Sequence, residues 1–260
     1  MFTVASYLSA IGYSGPVEPT AQTLRELHKR HMVTVPFDNS QRADLGTAVL
    51  NDVDVDIDGS FDRVVARRNG GVCFELSGMF RRLLIELGYE VLRLSSGVRG
   101  PSGAFGPDVE HMFLAVPLDG QTWLVDVGFA GPGFVEPVLL SEQEQEQHGV
   151  RYRVTGRDGY HVAERKTRNG DWQDIYRFTL RPRTLADWDG AGDTDADGWN
   201  WDGEIIAAST VIRARATDTG QLVLVGKRLV KVDDGVETVR VLIDPVEYKT
   251  VVADILGRDD

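Results

Sequence analysis

Cys73 is the residue whose type and position most clearly suggest chemistry. It is the only cysteine among 260 residues and lies in GGVCFELSGMF, residues 70–80. Apolar residues follow it at spacings of three and four, so a helix is predicted to begin at the cysteine. A helix N-terminus stabilises a thiolate, and the two preceding glycines allow a substrate to approach the backbone closely. Cys73 is therefore a candidate nucleophile; the alternative is a small buried residue with an inert thiol.

A histidine and an aspartate could supply the base that a thiol nucleophile needs. Asp119-Gly120 is typical of a two-residue hairpin turn. The resulting register sets His111 opposite Gly128, which leaves room for a carboxylate, and brings His111 and Asp126 to diagonal positions on one face, roughly 7 Å apart at the backbone. Because an acid in an apolar strand is costly unless it is paired, Asp126 is predicted to fix the tautomer of His111, which can then deprotonate a thiol. The alternative is a structural hydrogen bond, since spacing alone does not bring Cys73 near the pair.

The elements that must position these residues change in type along the chain. Helices are predicted over residues 20–31, with Thr20 as the cap, over residues 60–68, and from Cys73 to Gly88. Beyond Gly88 the period changes towards two, which predicts strands over 89–98, 111–118, 122–129, 151–157, 160–166, 209–217, 221–232 and 237–243. A short helix is predicted at 247–256, and residues 184–204, with seven carboxylates and no basic residue, predict a long acidic loop. The pattern indicates an α+β fold.

Composition excludes several classes of protein. The net charge of −12 makes nucleic acid an unfavourable partner, because such a surface repels phosphates. The lone cysteine excludes an internal disulfide, and the N-terminus has neither a basic region nor a sustained apolar stretch typical of a secretory signal. A soluble, cytoplasmic protein without a membrane partner is therefore expected. The sequence contains no G-x-S-x-G elbow, Walker loop, CxxC pair or HExxH motif, so serine hydrolase, nucleotide hydrolase and zinc enzyme are unsupported.

Several short motifs, in this order, resemble those of the arylamine N-acetyltransferase family. They are LHKRHMVTVPF with VPFDN at 35–39, then GGVCFEL, EHMFLAV and WLVDVGF. The resemblance covers the first half of the chain well and the rest loosely. It implies a three-domain fold with a cysteine-protease-like core: a helical bundle over 1–87 carrying Cys73, a β-barrel over 88–190 carrying His111 and Asp126, and an α/β lid over 191–260.

The resemblance also implies an activity and a set of site residues. It implies a Cys73–His111–Asp126 triad that moves an acyl group from a thioester donor, through an acyl-cysteine, to an aromatic amine. Phe37 and Phe129 match the pocket aromatics of the family and would line the acceptor site. No permanently bound cofactor and no metal are expected. The thioester co-substrate would be acetyl-CoA or the phosphopantetheine arm of an acyl carrier protein.

Departures from the family pattern favour one branch of it. Asn69 stands where the family usually has Arg, four residues before the cysteine, and the Ser-Pro-aromatic pocket segment is replaced by AASTVIRARA. An aliphatic wall around Val211 and Ile212 would widen the pocket, and the Gly/Pro-rich loop 97–107 could shape an entrance. These changes resemble the amide synthases of the family, which close ansamycin-type polyketides into macrolactams. The ordinary arylamine N-acetyltransferase, which also transfers acetyl groups to N-hydroxyarylamines, is the alternative activity.

Two further features of the sequence are a basic stretch at residues 61–100 and a calcium-loop pattern at residues 193–204. Residues 61–100 hold seven Arg against four acidic residues, a basic stretch that could attract the phosphate of phosphopantetheine, or else an ordinary solvated surface. The segment DTDADGWNWDGE at 193–204 satisfies a calcium-loop pattern, although its flanking helix signals are poor and a solvated acidic loop is favoured. Outside acyl transfer to amines, the alternatives are a cysteine hydrolase and a non-catalytic binding protein.

Overall fold

Helices, a large antiparallel sheet and a smaller sheet follow one another along the chain. The computed structural model describes residues 1–42, 45–189, 191 and 210–258. The first part is helical, with α1 (Val4–Ala10), α2 (Ala21–Thr34), a 3₁₀ helix at Gly46–Asp52, α3 (Ile57–Phe61) continued by a π-helix at Asp62–Ala66, and α4 (Cys73–Glu86). The α+β class expected from the sequence is confirmed.

The helix boundaries follow local capping signals. The side-chain oxygen of Thr20 accepts the N–H of Thr23 at the start of α2, as predicted. The helix predicted from Cys73 begins at that residue, and Gly88 just beyond its end has a φ of +92°. The helix predicted at 60–68 instead begins at Ile57 and widens into its π-helical turn, and α1 was not predicted.

The larger sheet contains eight antiparallel strands. They are β2 (Leu92–Val98), β3 (His111–Leu118), β4 (Gln121–Val125), β5 (Val138–Leu139), β6 (Gln145–Gln147), β7 (Val150–Arg157), β8 (Tyr160–Lys166) and β9 (Gln173–Phe178), in the order β5-β4-β3-β2-β9-β8-β7-β6. The edge strands β5 and β6 approach each other, since the side chain of Gln145 bonds both backbone groups of Leu139. The sheet therefore curls into a nearly closed barrel.

The β3–β4 hairpin has the predicted register. Leu118 pairs with Gln121 and Leu114 with Val125, and both turn residues have positive φ, +51° at Asp119 and +75° at Gly120. The strand predicted over 122–129 is shorter in the structure, because β4 ends at Val125. Asp126 therefore lies in the first position after the strand rather than within it.

The smaller sheet combines one short strand from the helical part with four strands from the C-terminal part of the chain. Its order is β1-β10-β11-β12-β13, with β1 (Phe37–Asp38), β10 (Ile212–Ala216), β11 (Gly220–Val225), β12 (Arg228–Asp233) and β13 (Val236–Val241), and α5 (Pro245–Leu256) packs against it. Asn39 extends the short pairing of β1 with β10, because its side-chain oxygen accepts the N–H of Ile212 at 2.7 Å and its amide donates to the Thr210 carbonyl at 3.0 Å. β1 lies among the helices of the first part of the sequence, whereas the other four strands of this sheet come from residues 212–241.

The first residues of the predicted acidic loop form a short helix. Residues Leu185–Trp188 form a 3₁₀ helix, and the Trp188 side chain is buried, with its indole N–H donating to the Val109 carbonyl at 2.8 Å. The calcium-loop pattern at 193–204 lies outside the described residues. Within the described ranges, no cluster of three or more potential metal-ligating side chains occurs, and none of the helices has the length and apolar character to cross a membrane.

His31, on α2, is buried with only one of its ring nitrogens bonded. Its Nδ1 lies 2.8 Å from the Tyr7 hydroxyl oxygen, and its Nε2 has no hydrogen-bond partner among the residues that the structure describes. Burial, with a smaller contribution from the neighbouring His28, lowers the pKa of His31 from 6.5 to about 3. The unfolded chain therefore binds more protons than the folded chain between pH 3 and 6.5, and the contribution of His31 to stability is lost as the pH falls through that window.

Replacing His31 should change how stability depends on pH. His31→Phe removes both the titrating ring and the bond to Tyr7, so we expect the variant to be less stable at pH 7 by about 1–3 kcal/mol. Below pH 6 the difference from wild type should shrink by about 1.4 kcal/mol per pH unit, because only the wild type loses stability as the unfolded His31 takes up a proton. Urea unfolding at pH 7, 6 and 5 measures the difference. A difference that stays constant with pH would contradict the assignment.

Candidate active site

Cys73 occupies the first position of α4, half-buried at the edge of a cavity. The first amides of a helix have no intrahelical partner and carry the positive end of the dipole, so a thiolate at this position is stabilised. Glu75 completes the helix start, because its Oε2 accepts the N–H of Val72 at 3.0 Å. This bond fixes the backbone immediately before the thiol.

Two arginines neutralise the buried carboxylate of Glu75. The Oε1 of Glu75 accepts from Arg63 at 2.7 Å and from Arg42 at 3.0 Å, and the Glu75 side chain is only 1% exposed. Asn69 stands four residues before the cysteine, and the two arginines bind the Glu75 oxygen that the Val72 amide does not use. A paired and hydrogen-bonded carboxylate of this kind holds the start of α4 rigidly.

His111 and Asp126 form a buried pair. Nε2 of His111 lies 2.8 Å from Oδ2 of Asp126, and Oδ1 of Asp126 accepts the N–H of Gly128 at 3.1 Å. The other ring nitrogen, Nδ1, is not used by Asp126, and Cys73 lies close enough to the ring to raise its pKa. The diagonal relation expected from the hairpin brings His111 and Asp126 together, and the packing of α4 against β3 brings Cys73 to the same cavity as His111.

Gly128 has a different role from the one predicted. The sequence suggested that its missing side chain leaves room for the carboxylate of Asp126. In the structure a Cβ at Gly128 would lie 2.7 Å from Cα and 2.9 Å from the carbonyl oxygen of Cys73. The backbone that follows β4 therefore packs directly on Cys73, and a side chain at this position would push the two apart.

The charge state of His111 follows from its neighbours. Burial lowers the pKa of His111, but the charge and hydrogen bond of Asp126, together with those of Cys73, outweigh burial and raise the pKa to about 10. The ring is therefore an imidazolium at neutral pH, suited to stabilise a thiolate. Tyr176 packs 5.7 Å from the His111 ring, and burial, assisted by Asp126, raises the pKa of the Tyr176 hydroxyl.

A cavity of about 410 Å³ opens in front of Cys73 and His111. Phe37 and Phe129 line it as predicted from the resemblance, and the Phe129 ring makes an edge contact with His111 at 5.4 Å. From the smaller sheet, the aliphatic side chains of Ile212, Val223, Val225 and Val230 line the cavity, together with the charged Arg228 and Glu237. Val211 does not line the cavity, because adjacent residues at a strand point to opposite faces and Ile212 takes the inward position.

The arginines at the cavity are mostly not those of the predicted basic stretch. Within residues 61–100, Arg63, Arg67 and Arg82 are engaged in ion pairs with neighbouring carboxylates, and only Arg99 lines the cavity. The other cationic lining residues come from other parts of the chain: Arg42, Arg165 and Arg228. Sequence reasoning missed these residues, as it missed Tyr176, because β8, β9, β12 and the segment before the 3₁₀ helix reach the site only through tertiary packing.

This chain matches the model of a known family and is similar in sequence to known enzymes. The sequence profile of a family described as N-acetyltransferase matches residues 20–257. The chain is 36% identical over 259 residues to proansamycin X synthase of Amycolatopsis mediterranei, covering 100% of this chain and 98% of that protein. It is 32% identical over 183 residues to an arylamine N-acetyltransferase of Escherichia coli, covering 70% of this chain and 63% of that enzyme.

Solved structures show the same likeness. Mycobacterium marinum arylamine N-acetyltransferase in complex with CoA superposes with a TM-score of 0.79 at 28% identity, covering 98% of this chain and 92% of that chain. The nearly closed barrel with its helices is therefore a fold that this protein shares with a solved enzyme.

Replacing Asp126 should change the reactivity of the thiol. Asp126→Asn keeps the size of the side chain but removes the charge that raises the pKa of His111, so the ring should lose its proton near neutral pH. Cys73 then lacks a cationic partner, and we expect alkylation by iodoacetamide at pH 7 to slow by about tenfold or more. Rates measured from pH 6 to 9 should be nearly constant for wild type and rise with pH for the variant, with circular dichroism as the check on folding. Superimposable profiles would contradict the ion pair.

Proposed function

Because the chain belongs to the arylamine N-acetyltransferase family, we propose that it is an acyltransferase that forms an amide bond through an acyl-Cys73 intermediate. In this proposal Cys73 is the nucleophile, His111 the acid and base, and Asp126 the group that orients and charges the ring. The hydrogen bond between His111 and Asp126, the position of Cys73 at the same cavity and the raised pKa of His111 support it. The expected three-domain division, at 1–87, 88–190 and 191–260, and a cytoplasmic location remain part of the proposal.

Acylation comes first in this mechanism. The Cys73 thiolate attacks the thioester carbonyl, and the amides in the first turn of α4 can stabilise the resulting oxyanion. When the carbon–sulfur bond of the donor breaks, the departing thiolate takes the proton of the His111 imidazolium. The product is a Cys73 thioester beside a neutral His111, with the donor thiol free to leave.

Amide formation reverses the direction of proton transfer. The amine attacks the carbonyl of acyl-Cys73, and neutral His111 takes the proton that the nitrogen loses. Collapse of the intermediate breaks the carbon–sulfur bond and releases the Cys73 thiolate, so the thiolate–imidazolium pair is restored. If the amine lies on the same acyl chain, this step closes a ring, and the enzyme contributes by holding the two ends together.

One observation carries the choice of substrate: the part of the cavity wall formed by β10 and β11 is aliphatic. Ile212, Val223 and Val225 form an apolar surface without an aromatic ring. An aromatic ring at this place would stack on a small flat amine, whereas aliphatic side chains can contact a long acyl chain. We therefore favour a long polyketide acyl chain that is released as an ansamycin-type macrolactam. The match to proansamycin X synthase, which extends over the whole chain, supports this branch. Delivery of the chain by an acyl carrier protein is part of the same proposal.

A second candidate is acetyl transfer from acetyl-CoA to a simple arylamine. The structure of the M. marinum enzyme with CoA and the match to the E. coli enzyme favour it. It would use the same three residues and the same acyl-cysteine, so variants of the triad cannot separate the two activities. The two activities can instead be separated by measuring which acyl donor acylates Cys73 faster.

The acyl-enzyme should be detectable by mass. When the wild type is mixed with a thioester donor, we expect intact-mass analysis to show one acyl adduct, which peptide mapping assigns to Cys73. Cys73→Ala should form no adduct and should lower the rate of amide formation more than about a thousandfold, because no other residue can carry the acyl group. Full activity of Cys73→Ala would overturn the proposed mechanism.

The two activities differ in single-turnover acylation rates. The long donor is an N-acetylcysteamine thioester whose acyl chain ends in an aryl amine, and the short donor is acetyl-CoA. We expect the long donor to acylate Cys73 at least about tenfold faster and then to release a macrolactam, because its chain fills the apolar cavity. Fast acetylation of simple anilines, with no reaction of the long donor, would instead establish the arylamine N-acetyltransferase.

The aliphatic wall can be tested in the same assay. Ile212→Phe restores an aromatic side chain inside the cavity, and it should slow acylation by the long donor about tenfold while leaving acetyl-CoA within about twofold. Val211→Phe is the matched control, since its side chain does not line the cavity. Equal effects of the two variants on the long donor would show that the wall does not select the substrate.

A further inference from the structure

His28, on α2, is completely buried and bonds the backbone at both ends of the segment 126–135. Its Nε2 accepts the N–H of Asp126 at 3.1 Å, and its Nδ1 lies 2.9 Å from the carbonyl oxygen of Val135. The ring stacks on Phe134 at 6.2 Å and meets the edge of Phe80 at 6.1 Å. One side chain of the helical part therefore spans the two ends of a loop of the barrel.

The two partners allow only one form of the ring. A backbone N–H can only donate, so Nε2 of His28 must be unprotonated, and a carbonyl can only accept, so Nδ1 must carry the proton. A cationic ring would turn Nε2 into a donor facing the Asp126 N–H and would break that bond. Burial lowers the pKa of His28, more than the nearby carboxylates of Asp126 and Glu136 raise it, so the neutral ring is maintained.

The segment that His28 closes carries several parts of the site. Asp126 holds the His111 ring, and Gly128 donates to the Asp126 carboxylate while packing on the backbone of Cys73. Phe129 is one of the aromatic residues that line the cavity. β4 ends at Val125, so the ladder of the sheet no longer fixes the backbone at Asp126. The bond from His28 replaces that ladder bond at the position where the acid must be oriented.

We propose that His28 is a positioning residue for acyl transfer: it fixes the backbone of Asp126, and through it the orientation of the His111 ring toward Cys73, by closing the segment 126–135. The inference rests on the proposed roles of Cys73, His111 and Asp126. His28 itself has no contact with the cavity, because it is not among the lining residues, and its action passes through Asp126.

His31 provides a matched control on the same helix. Like His28 it is completely buried and edge-on to Phe80, but its ring bonds Tyr7 and makes no hydrogen bond to the segment 126–135. Loss of His31 should therefore reduce stability without changing the chemistry of Cys73. Any effect that appears in His28 variants and not in His31→Phe belongs to the bonds to Asp126 and Val135 rather than to packing.

The variants separate the two bonds of His28. The amide of Gln reaches about as far as Nε2 and can accept the N–H of Asp126, whereas the shorter amide of Asn lies near Nδ1 and can only donate to the Val135 carbonyl. We expect His28→Gln to keep most of the single-turnover acylation rate with the N-acetylcysteamine donor. His28→Asn and His28→Phe should lose about 10- to 100-fold, because a small displacement of the acid misaligns the ring. The apparent donor affinity should stay within about twofold.

The rate of iodoacetamide alkylation against pH gives the decisive readout, since it requires no acyl donor. In His28→Asn and His28→Phe the rate of Cys73 alkylation should fall more steeply than in wild type as the pH is lowered from 9 to 6, because a misplaced carboxylate stabilises the imidazolium less. His28→Gln and His31→Phe should match wild type. All variants are assayed at a temperature at which circular dichroism shows them folded, and if His28→Phe does not fold, the comparison of Gln with Asn decides.

The outcomes distinguish this inference from the function on which it rests. A wild-type Cys73 that alkylates no faster than a free thiol would overturn the thiolate–imidazolium pair and the role of His28 together. A reactive wild type with the same alkylation profile and acylation rate in His28→Gln, His28→Asn and His31→Phe would overturn only the role of His28. A shift confined to the variants that lose the Asp126 bond supports it.

Discussion

The buried hydrogen bond between His111 and Asp126 is the interaction on which the site depends. Removing a carboxylate and an imidazolium from water costs several kcal/mol each, and the cost is recovered only if every polar atom finds a partner. Here Asp126 uses one oxygen for the ring and the other for the amide of Gly128, and Cys73 lies close enough to the ring to raise its pKa. The geometry therefore tolerates little movement in any of the three segments.

Each of these segments is held by a contact from elsewhere in the chain. The start of α4 is held by Glu75, whose buried carboxylate is neutralised by Arg42 and Arg63. The segment after β4 is held at Asp126 by His28 of α2. One hydrophobic core includes residues of α2, α4, β3, β4 and β10, so the helices and both sheets are packed as one body around the site. Rigid support of this kind keeps a reactive thiol aligned with its base.

One wall of the cavity depends on the pairing of β1 with β10, two strands that are far apart in the sequence. β1 pairs with β10, and Asn39 prolongs that pairing by bonding the backbone around Ile212. The inward face of β10 is thereby held at the cavity that Cys73 lines, where Ile212 forms part of the wall. In the proposed function, this aliphatic wall is the part of the site that selects the acyl chain.

The sequence by itself determined α2, α4, most of the longer strands, the candidate triad and the β3–β4 register. The register follows because the turn at Asp119-Gly120 encodes positive φ at both positions. It therefore determined that His111 and Asp126 would be neighbours. Only the tertiary structure decided what closes around them: that Gly128 packs on the backbone of Cys73, and that His28 spans the loop. Contacts of this kind join residues far apart in the chain, and they depend on how helices and sheets pack, which a local period of two or 3.6 residues does not encode.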